Sequence, residues 1–207
     1  MVKGEAEDNA DRAEEAEVEV VAICGSPRED GNTATLIEAL LEGARESGAE
    51  TTRFDPAKMQ ILDCIADDEC LKGPDARCIL EDDMGHIYDA LRRAEAWVLG
   101  TPVYHGHLTG TLKRVIDRLY AFYMSEGGQW RLALEGERKG GVIVVQAGRG
   151  LATPERVAEY LEEVLRAYNV EPIGRVLGCE LRKRGEAAAH PDLAAQARDL
   201  GRELASE

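Results

Sequence analysis

The segment from Gly25 to Thr35, GSPREDGNTAT, places polar and cationic groups at the expected start of a helix. Free N–H groups and the helix dipole favour an anion at such a position. The segment lacks both the GxxxxGK[ST] lysine and the GxGxxG dinucleotide pattern, so a terminal phosphate fits it best. The candidate ligands here are Ser26, Arg28, Asn32, Thr33, Ala34 and Thr35.

In two further loops, proline restricts the backbone or glycine allows it to approach a ligand closely. Both effects can bring N–H and C=O groups to the edge of a flat ring. Their candidate residues are Pro102, Val103, Tyr104, His105 and Gly106 in one loop, and Ala147, Gly148, Arg149 and Gly150 in the other. Tyr104 adds an aromatic surface. A metal site at His105 and His107 is disfavoured because no third ligand follows at a suitable spacing. Plain turns with incidental caps remain the alternative for these loops.

Three of the five cysteines, Cys64, Cys70 and Cys78, lie in one long polar loop. An odd number of cysteines argues against a disulfide framework. Cys24 and Cys179 fall on expected buried strands and are interpreted as small core residues. A cysteine-phosphatase site at Cys24 is disfavoured because the arginine in the following loop comes too soon after it.

Alternating apolar strands and amphipathic helices predict the scaffold that carries these loops. Strands are expected at 17–24, 50–54, 96–100 and 141–146 and within 170–181, each followed by a helix. The pattern predicts an α/β fold, a doubly wound five-stranded parallel sheet with helices on both faces. In the strand order 2-1-3-4-5 the first, third and fourth strands are neighbours, so their loops meet at one site. The 124–137 segment with Trp130 is interpreted as a loop.

Composition limits the possible class of protein. The 207 residues fit one domain over 17–207, preceded by an acidic segment, 1–16, that is predicted to be a disordered tail. A net charge of −15 without a basic stripe argues against nucleic-acid binding. No apolar run approaches the roughly 20 residues that cross a bilayer. The leading residues lack the apolar stretch of a secretory signal, so we expect a cytoplasmic protein without membrane contact.

The motifs GSPREDGNT and TPVYHGHLTGTLKRVIDR, with Asp82-Asp83-Met84 opening the second helix, resemble the NADPH-dependent FMN reductase family. Over about residues 18–180 the chain is most similar to the iron–sulfur flavoprotein branch of that family. The resemblance implies a flavodoxin-like fold that binds FMN, with the phosphate in the 26–35 loop and the ring against the 102–106 and 147–150 loops. It also implies homodimers or homotetramers in which a neighbouring subunit helps to cover the flavin.

The activity that the resemblance implies is electron transfer from NAD(P)H through FMN to a quinone, free flavin or other acceptor. The flavin performs this chemistry, so no catalytic side chain is predicted. One alternative is an electron-transfer protein served by a ferredoxin-like partner. Another is a binding protein that has lost the flavin, against which the intact first loop argues.

The iron–sulfur branch carries four cysteines in the loop after the second strand. Cys64, Cys70 and Cys78 match the first, third and fourth, and Asp67 stands in place of the second. A carboxylate oxygen is a harder ligand than a thiolate and holds an iron–sulfur cluster less readily. Two interpretations stay open, a [4Fe–4S] cluster and a loop with free thiols, and Asp67 favours the second.

Overall fold

The computed structural model describes residues 18–72 and 77–206, so the predicted acidic tail lies outside the described residues. The strands are β1 (Glu19–Cys24), β2 (Glu50–Phe54), β3 (Ala96–Pro102), β4 (Tyr123–Glu126), β5 (Gln129–Leu132), β6 (Arg138–Val145) and β7 (Val170–Gly178). The five α-helices of the described residues are α1 (Asn32–Glu46), α2 (Met84–Arg93), α3 (Gly110–Arg118), α4 (Ala152–Arg166) and α5 (Pro191–Leu204).

Five parallel strands form one sheet in the order β2-β1-β3-β6-β7. Because β6 and β7 are the fourth and fifth strands of this sheet, the predicted order 2-1-3-4-5 is confirmed. Leu99 at the centre of β3 lies between Ile23 of β1 and Val142 of β6. The carboxyl ends of these three strands therefore open side by side, at the edge where ligands bind in doubly wound sheets.

Helices cover the two faces of the sheet, as the near-continuous apolar strands require. Successive side chains of a strand point to opposite faces. In β1, Val21 and Ile23 pack with α2, α3 and α4, whereas Val20 and Ala22 pack with α1 and α5. Among the described residues, no helix has both the length and the apolar character that crossing a membrane demands.

A small antiparallel hairpin, β4–β5, lies between α3 and β6. The interpretation of 124–137 as a loop is therefore wrong for the part that forms these strands. The strands are too short to show a clear alternation, but Gly127 and Gly128, both at positive φ, form the turn and could have revealed it. Trp130 on β5 is 56% exposed and lies against Tyr120, with the ring centroids 5.5 Å apart.

Helices α1 and α5 approach closely because each carries a glycine where the other presents backbone. A Cβ atom on Gly201 would overlap the carbonyl group of Leu40, and one on Gly43 would overlap that of Arg198. The contact fixes the position of α1, whose first turn carries the predicted phosphate ligands.

Replacement of Gly201 by alanine is expected to lower the free energy of unfolding by about 2–3 kcal/mol, because backbone atoms must move apart to make room. Chemical denaturation would measure the change. Gly85→Ala in α2 is the matched control, since a Cβ there meets nothing within 4 Å. That change should leave stability unaltered or raise it by up to about 1 kcal/mol. Equal stability of the two variants would contradict the proposed close contact.

Candidate functional site

Thr109 joins the loops that follow β1 and β3. Its hydroxyl donates to the Gly25 carbonyl at 2.7 Å, and its N–H donates to the Thr101 hydroxyl at 3.1 Å. The same hydroxyl oxygen accepts from the Leu112 N–H and so caps α3. Gly25 also donates to the Gly100 carbonyl at 2.7 Å. The first two predicted loops therefore leave the sheet from fixed positions.

The loop after β3 folds back into a tight turn. The N–H and C=O groups of Tyr104 and His107 bond reciprocally, at 2.8 and 3.0 Å. His105 and Gly106 have φ angles of 49° and 78°, the left-handed pair of a type I′ turn. The Val103 N–H donates to the Val145 carbonyl at 2.8 Å, which links this turn to the end of β6. The Tyr104 ring, 45% exposed, stands at the surface of the turn.

The loop after β6 is shaped by the chain that follows β7. The Gln146 side chain donates to the Gly150 carbonyl at 2.6 Å, and the Glu180 N–H donates to the Gly148 carbonyl at 2.9 Å. Cys179 is half-buried one residue beyond β7, and its thiol donates to Gly150. It is therefore not the buried strand residue that the sequence predicts.

A cavity of about 200 Å³ opens where these loops meet. The predicted ligands that line it are Ser26, Arg28, Asn32, Thr33, Pro102, Val103, Tyr104 and Ala147. The predicted ligands outside its lining are Ala34, Thr35, His105, Gly106, Gly148, Arg149 and Gly150. Gln146, Leu181 and Arg182 also line it, although the sequence motifs did not indicate them. A fourth loop, the one after β7, therefore belongs to the site.

Thr33 carries a buried hydroxyl with no hydrogen-bond partner in the described part of the chain. A buried polar group left unpaired costs about 1–3 kcal/mol. The preceding Gly31 gives α1 no side-chain cap, so the first N–H groups of the helix also lack that partner. An anion bound in the cavity would satisfy both needs.

Ser26 and Asn32 use their side chains to shape the site. The Ser26 hydroxyl accepts from the Arg28 N–H at 3.1 Å. The Asn32 amide donates to the Lys183 carbonyl at 2.9 Å, and its oxygen accepts from the Ala187 N–H at 2.9 Å. Asn32 thus offers an anion its backbone N–H, while its side chain holds the loop after β7 against α1.

Cys24 is fully buried at the end of β1. Burial raises the pKa of its thiol to about 11. Near neutral pH the group stays protonated, and the thiolate is the nucleophilic form of cysteine. Cys24 is therefore a core residue, as predicted from the sequence.

A second cavity, of about 490 Å³, is lined by all four positions of the cysteine motif, Cys64, Asp67, Cys70 and Cys78. The pKa of Cys70 is raised by burial and by the nearby Cys78 and Cys64. Yet within residues 18–72 and 77–206, no three His, Cys, Asp or Glu side chains form a group that could hold a metal ion.

Asp82 ties the cysteine loop to α2 and α3. Its carboxylate accepts from the Leu62 N–H at 2.8 Å, the Met84 N–H at 3.1 Å and the Arg118 guanidinium at 2.7 Å. Burial by itself would raise the pKa of Asp82, but these hydrogen bonds outweigh it and hold the pKa below its usual range. The Asp82–Arg118 ion pair is almost fully buried.

The sequence profile described as NADPH-dependent FMN reductase matches residues 18–178. The chain belongs to this family. Membership confirms two predictions: that the protein is an oxidoreductase, and that its cofactors are FMN and the electron donor NAD(P)H. The 200 Å³ cavity agrees with that cofactor, since an uncapped helix start and an orphaned hydroxyl suit a phosphomonoester.

Similar curated proteins are named iron–sulfur flavoproteins. One from Archaeoglobus fulgidus is 34% identical over 162 residues, covering 78% of this chain and 68% of the relative. One from Methanocaldococcus jannaschii is 35% identical over 130 residues, covering 60% of this chain and 65% of the relative. The chain spans about two thirds of the length of these relatives.

Similar solved structures share the flavodoxin-like fold. An NAD(P)H:quinone oxidoreductase from Methanothermobacter marburgensis superposes with a TM-score of 0.70 at 20% identity, covering 93% of this chain and 99% of that one. An FMN-dependent NADH-azoreductase from Bacillus anthracis, in complex with FMN, gives 0.66 at 13% identity, covering 91% and 100%. The predicted fold class is confirmed.

The residues present do not fit the cluster that the relatives' names imply. Four thiolates are the usual ligands of such a cluster, and the loop offers three thiols and one carboxylate. The carboxylate of Asp67 already accepts a hydrogen bond from the Glu69 N–H at 3.1 Å.

Replacement of Thr33 by valine should separate binding from stability. We expect FMN affinity to fall about tenfold, because a hydrogen bond to the charged phosphate is lost. The stability of the apoprotein should stay the same or rise, because an unpaired buried hydroxyl is removed. Calorimetric titration and urea denaturation of apoprotein would measure the two effects. Thr52→Val on β2, away from the cavity, is the control and should leave FMN affinity unchanged. Unaltered FMN affinity in Thr33→Val would count against a role of its hydroxyl in binding the phosphate.

Proposed function

We propose that this protein passes an electron pair from NAD(P)H through FMN to a small-molecule acceptor such as a quinone or free flavin. The observation that carries the proposal is the buried Thr33 hydroxyl, which has no hydrogen-bond partner in the described part of the chain, at the start of α1, which has no side-chain cap. It lines a cavity shared by the loops that follow β1, β3, β6 and β7. Family membership supports the flavin as the group that fills this site.

The phosphate end of the cofactor would lie in the loop that begins at Ser26. There the first N–H groups of α1, the Thr33 hydroxyl and the Arg28 guanidinium supply donors and positive charge. Asn32 holds the neighbouring loop in place, so these donors are positioned before the ligand arrives. Ordering the site in advance reduces the entropy lost on binding.

The ring end would lie against the 102–106 turn and the 147–150 loop. The reciprocal bonds between Tyr104 and His107 fix the first of these, and the Gln146 side chain fixes the second. Backbone N–H groups held in this way can bond the edge of a ring and tune its electronic properties. Exposed Tyr104 offers an aromatic surface beside it.

When bound, FMN would supply the redox chemistry, the transfer of a hydride equivalent from NAD(P)H to the acceptor. With a quinone, one hydride equivalent and one proton convert it to the hydroquinone, while NAD(P)H becomes NAD(P)⁺. The protein contributes binding, orientation and access, and no side chain needs to donate or accept a proton at the flavin.

Rapid mixing of the FMN-loaded protein with NADPH or NADH, without oxygen, would test this function. We expect the blue absorption band of the flavin to disappear and a quinone added afterwards to restore it. Free FMN mixed with the same nicotinamide is the control for the uncatalysed reaction. Persistence of the band with both nicotinamides would contradict the proposal.

A second candidate, single-electron transfer from a ferredoxin-like partner, is favoured by one observation only. The thiols of Cys64, Cys70 and Cys78 all line the 490 Å³ cavity. A cluster there would relay single electrons to the flavin. The missing fourth thiolate makes this the weaker candidate.

Replacement of Asp67 by cysteine distinguishes the two candidates. After anaerobic reconstitution with iron and sulfide, we expect the variant to hold about four iron atoms per chain and the native protein to hold none. Glu81→Cys is the matched control, because it adds a thiol to the same loop at a position that does not line the cavity. Stoichiometric iron and sulfide in the native protein would instead favour the single-electron function.

A further inference from the structure

Two arginines from distant parts of the sequence line the 200 Å³ cavity, Arg28 after β1 and Arg182 after β7. Neither guanidinium has an ion-pair or hydrogen-bond partner among residues 18–72 and 77–206. Two other arginines nearby are paired with carboxylates: Arg149 with Glu180 at 2.8 Å, and Arg184 with Asp30 at 2.8 Å.

The loop that carries Arg182 is held firmly against the phosphate loop. The Leu181 N–H donates to the Gln146 carbonyl at 3.0 Å. The Glu186 carboxylate accepts from the Arg182 and Lys183 N–H groups, each at 2.7 Å. Asn32, at the start of α1, donates to the Leu181 and Lys183 carbonyls. Arg182 is therefore fixed at its backbone, while its side chain keeps its hydrogen-bonding capacity.

The acidic residues of the phosphate loop have cationic partners of their own. Glu29 pairs with Lys58 at 2.6 Å, and Asp30 pairs with Arg184. Within the described residues, the cavity lining thus keeps two positive charges without an ion-pair partner, in a protein whose net charge is −15. A phosphomonoester carries about −1.5 to −2 charges at neutral pH, which matches two guanidinium groups.

We propose that Arg182 is a second phosphate-binding arginine that, together with Arg28, makes the site select FMN over riboflavin. The inference rests on the FMN site proposed above and deepens it. Arg182 would reach the phosphate from the loop after β7, across from the start of α1. The 2′-phosphate of NADPH has the same chemistry, so the test must separate the two phosphates.

Titration of apoprotein with FMN and with riboflavin would measure this selectivity directly. We expect Arg182→Gln to weaken FMN binding by about tenfold or more, because a charge-assisted hydrogen bond is lost, and to leave riboflavin binding unaltered. Arg182→Lys should retain part of the FMN affinity, because it keeps the charge but loses the forked geometry. Lys183→Gln is the matched control: it removes the adjacent charge from a side chain that does not line the cavity, and it should change FMN affinity by less than about twofold.

Three results of these titrations would overturn the assignment: unchanged FMN affinity in Arg182→Gln, an equal loss of FMN and riboflavin affinity, or an equal effect of Lys183→Gln. A higher KM for NADPH but not for NADH, with FMN affinity intact, would assign Arg182 to the nicotinamide instead and would also overturn it. Thermal unfolding of each apoprotein checks the fold. If Arg182→Gln unfolds at a lower temperature than the native protein, the FMN affinity of Arg182→Lys tests the assignment instead. Failure of the native protein to bind FMN would contradict the proposed function itself.

Discussion

The hydrogen bonds of Thr109 are the interaction on which the site depends. Its side chain bonds Gly25 just after β1 and Leu112 in the first turn of α3, its backbone N–H bonds Thr101 near the end of β3, and a backbone bond from Gly25 to Gly100 completes the link. Parallel strands that end side by side bring their loops to the same edge, but they do not fix where each loop begins. Thr109 fixes that point for two of the four loops, at a residue that is itself buried.

The site is also one of the places where, among the described residues, a buried polar atom lacks a hydrogen-bond partner. Thr109, Ser26 and Asn32 bond their side-chain polar atoms within the protein, whereas the Thr33 hydroxyl has no partner in residues 18–72 and 77–206. The close contact of α1 with α5 holds Thr33 in position despite that cost. The unpaired hydroxyl lowers the stability of the apoprotein. A ligand that accepts or donates a hydrogen bond there removes this cost, so the gain contributes to the binding free energy.

Much of the fold could be predicted from the sequence, because buried parallel strands leave a strong apolar signal and the order of the loops follows from the topology. The local signals around Ser26 and Thr33 also predicted a phosphate loop, and both residues line the 200 Å³ cavity. Arg182 could not be found in this way: its loop meets α1 through the Asn32–Leu181 bond, which joins residues 149 positions apart. Sequence spacing cannot distinguish Asn32 as a support for that loop from Asn32 as a ligand, because the difference depends on a contact between distant segments.

The cysteine loop shows why a fold can keep the shape of a metal-binding segment without the full ligand set. Many small metal sites are ordered by the metal itself. Here protein contacts provide the order, because the buried Asp82–Arg118 pair bonds Leu62 at the front of the loop and Met84 behind it. Removing one partner of such a pair typically costs about 3–5 kcal/mol, so selection for stability can retain Asp82 and Arg118 whatever the cavity holds. Substitution at position 67 could therefore change the ligand set while the three thiols stayed around the cavity.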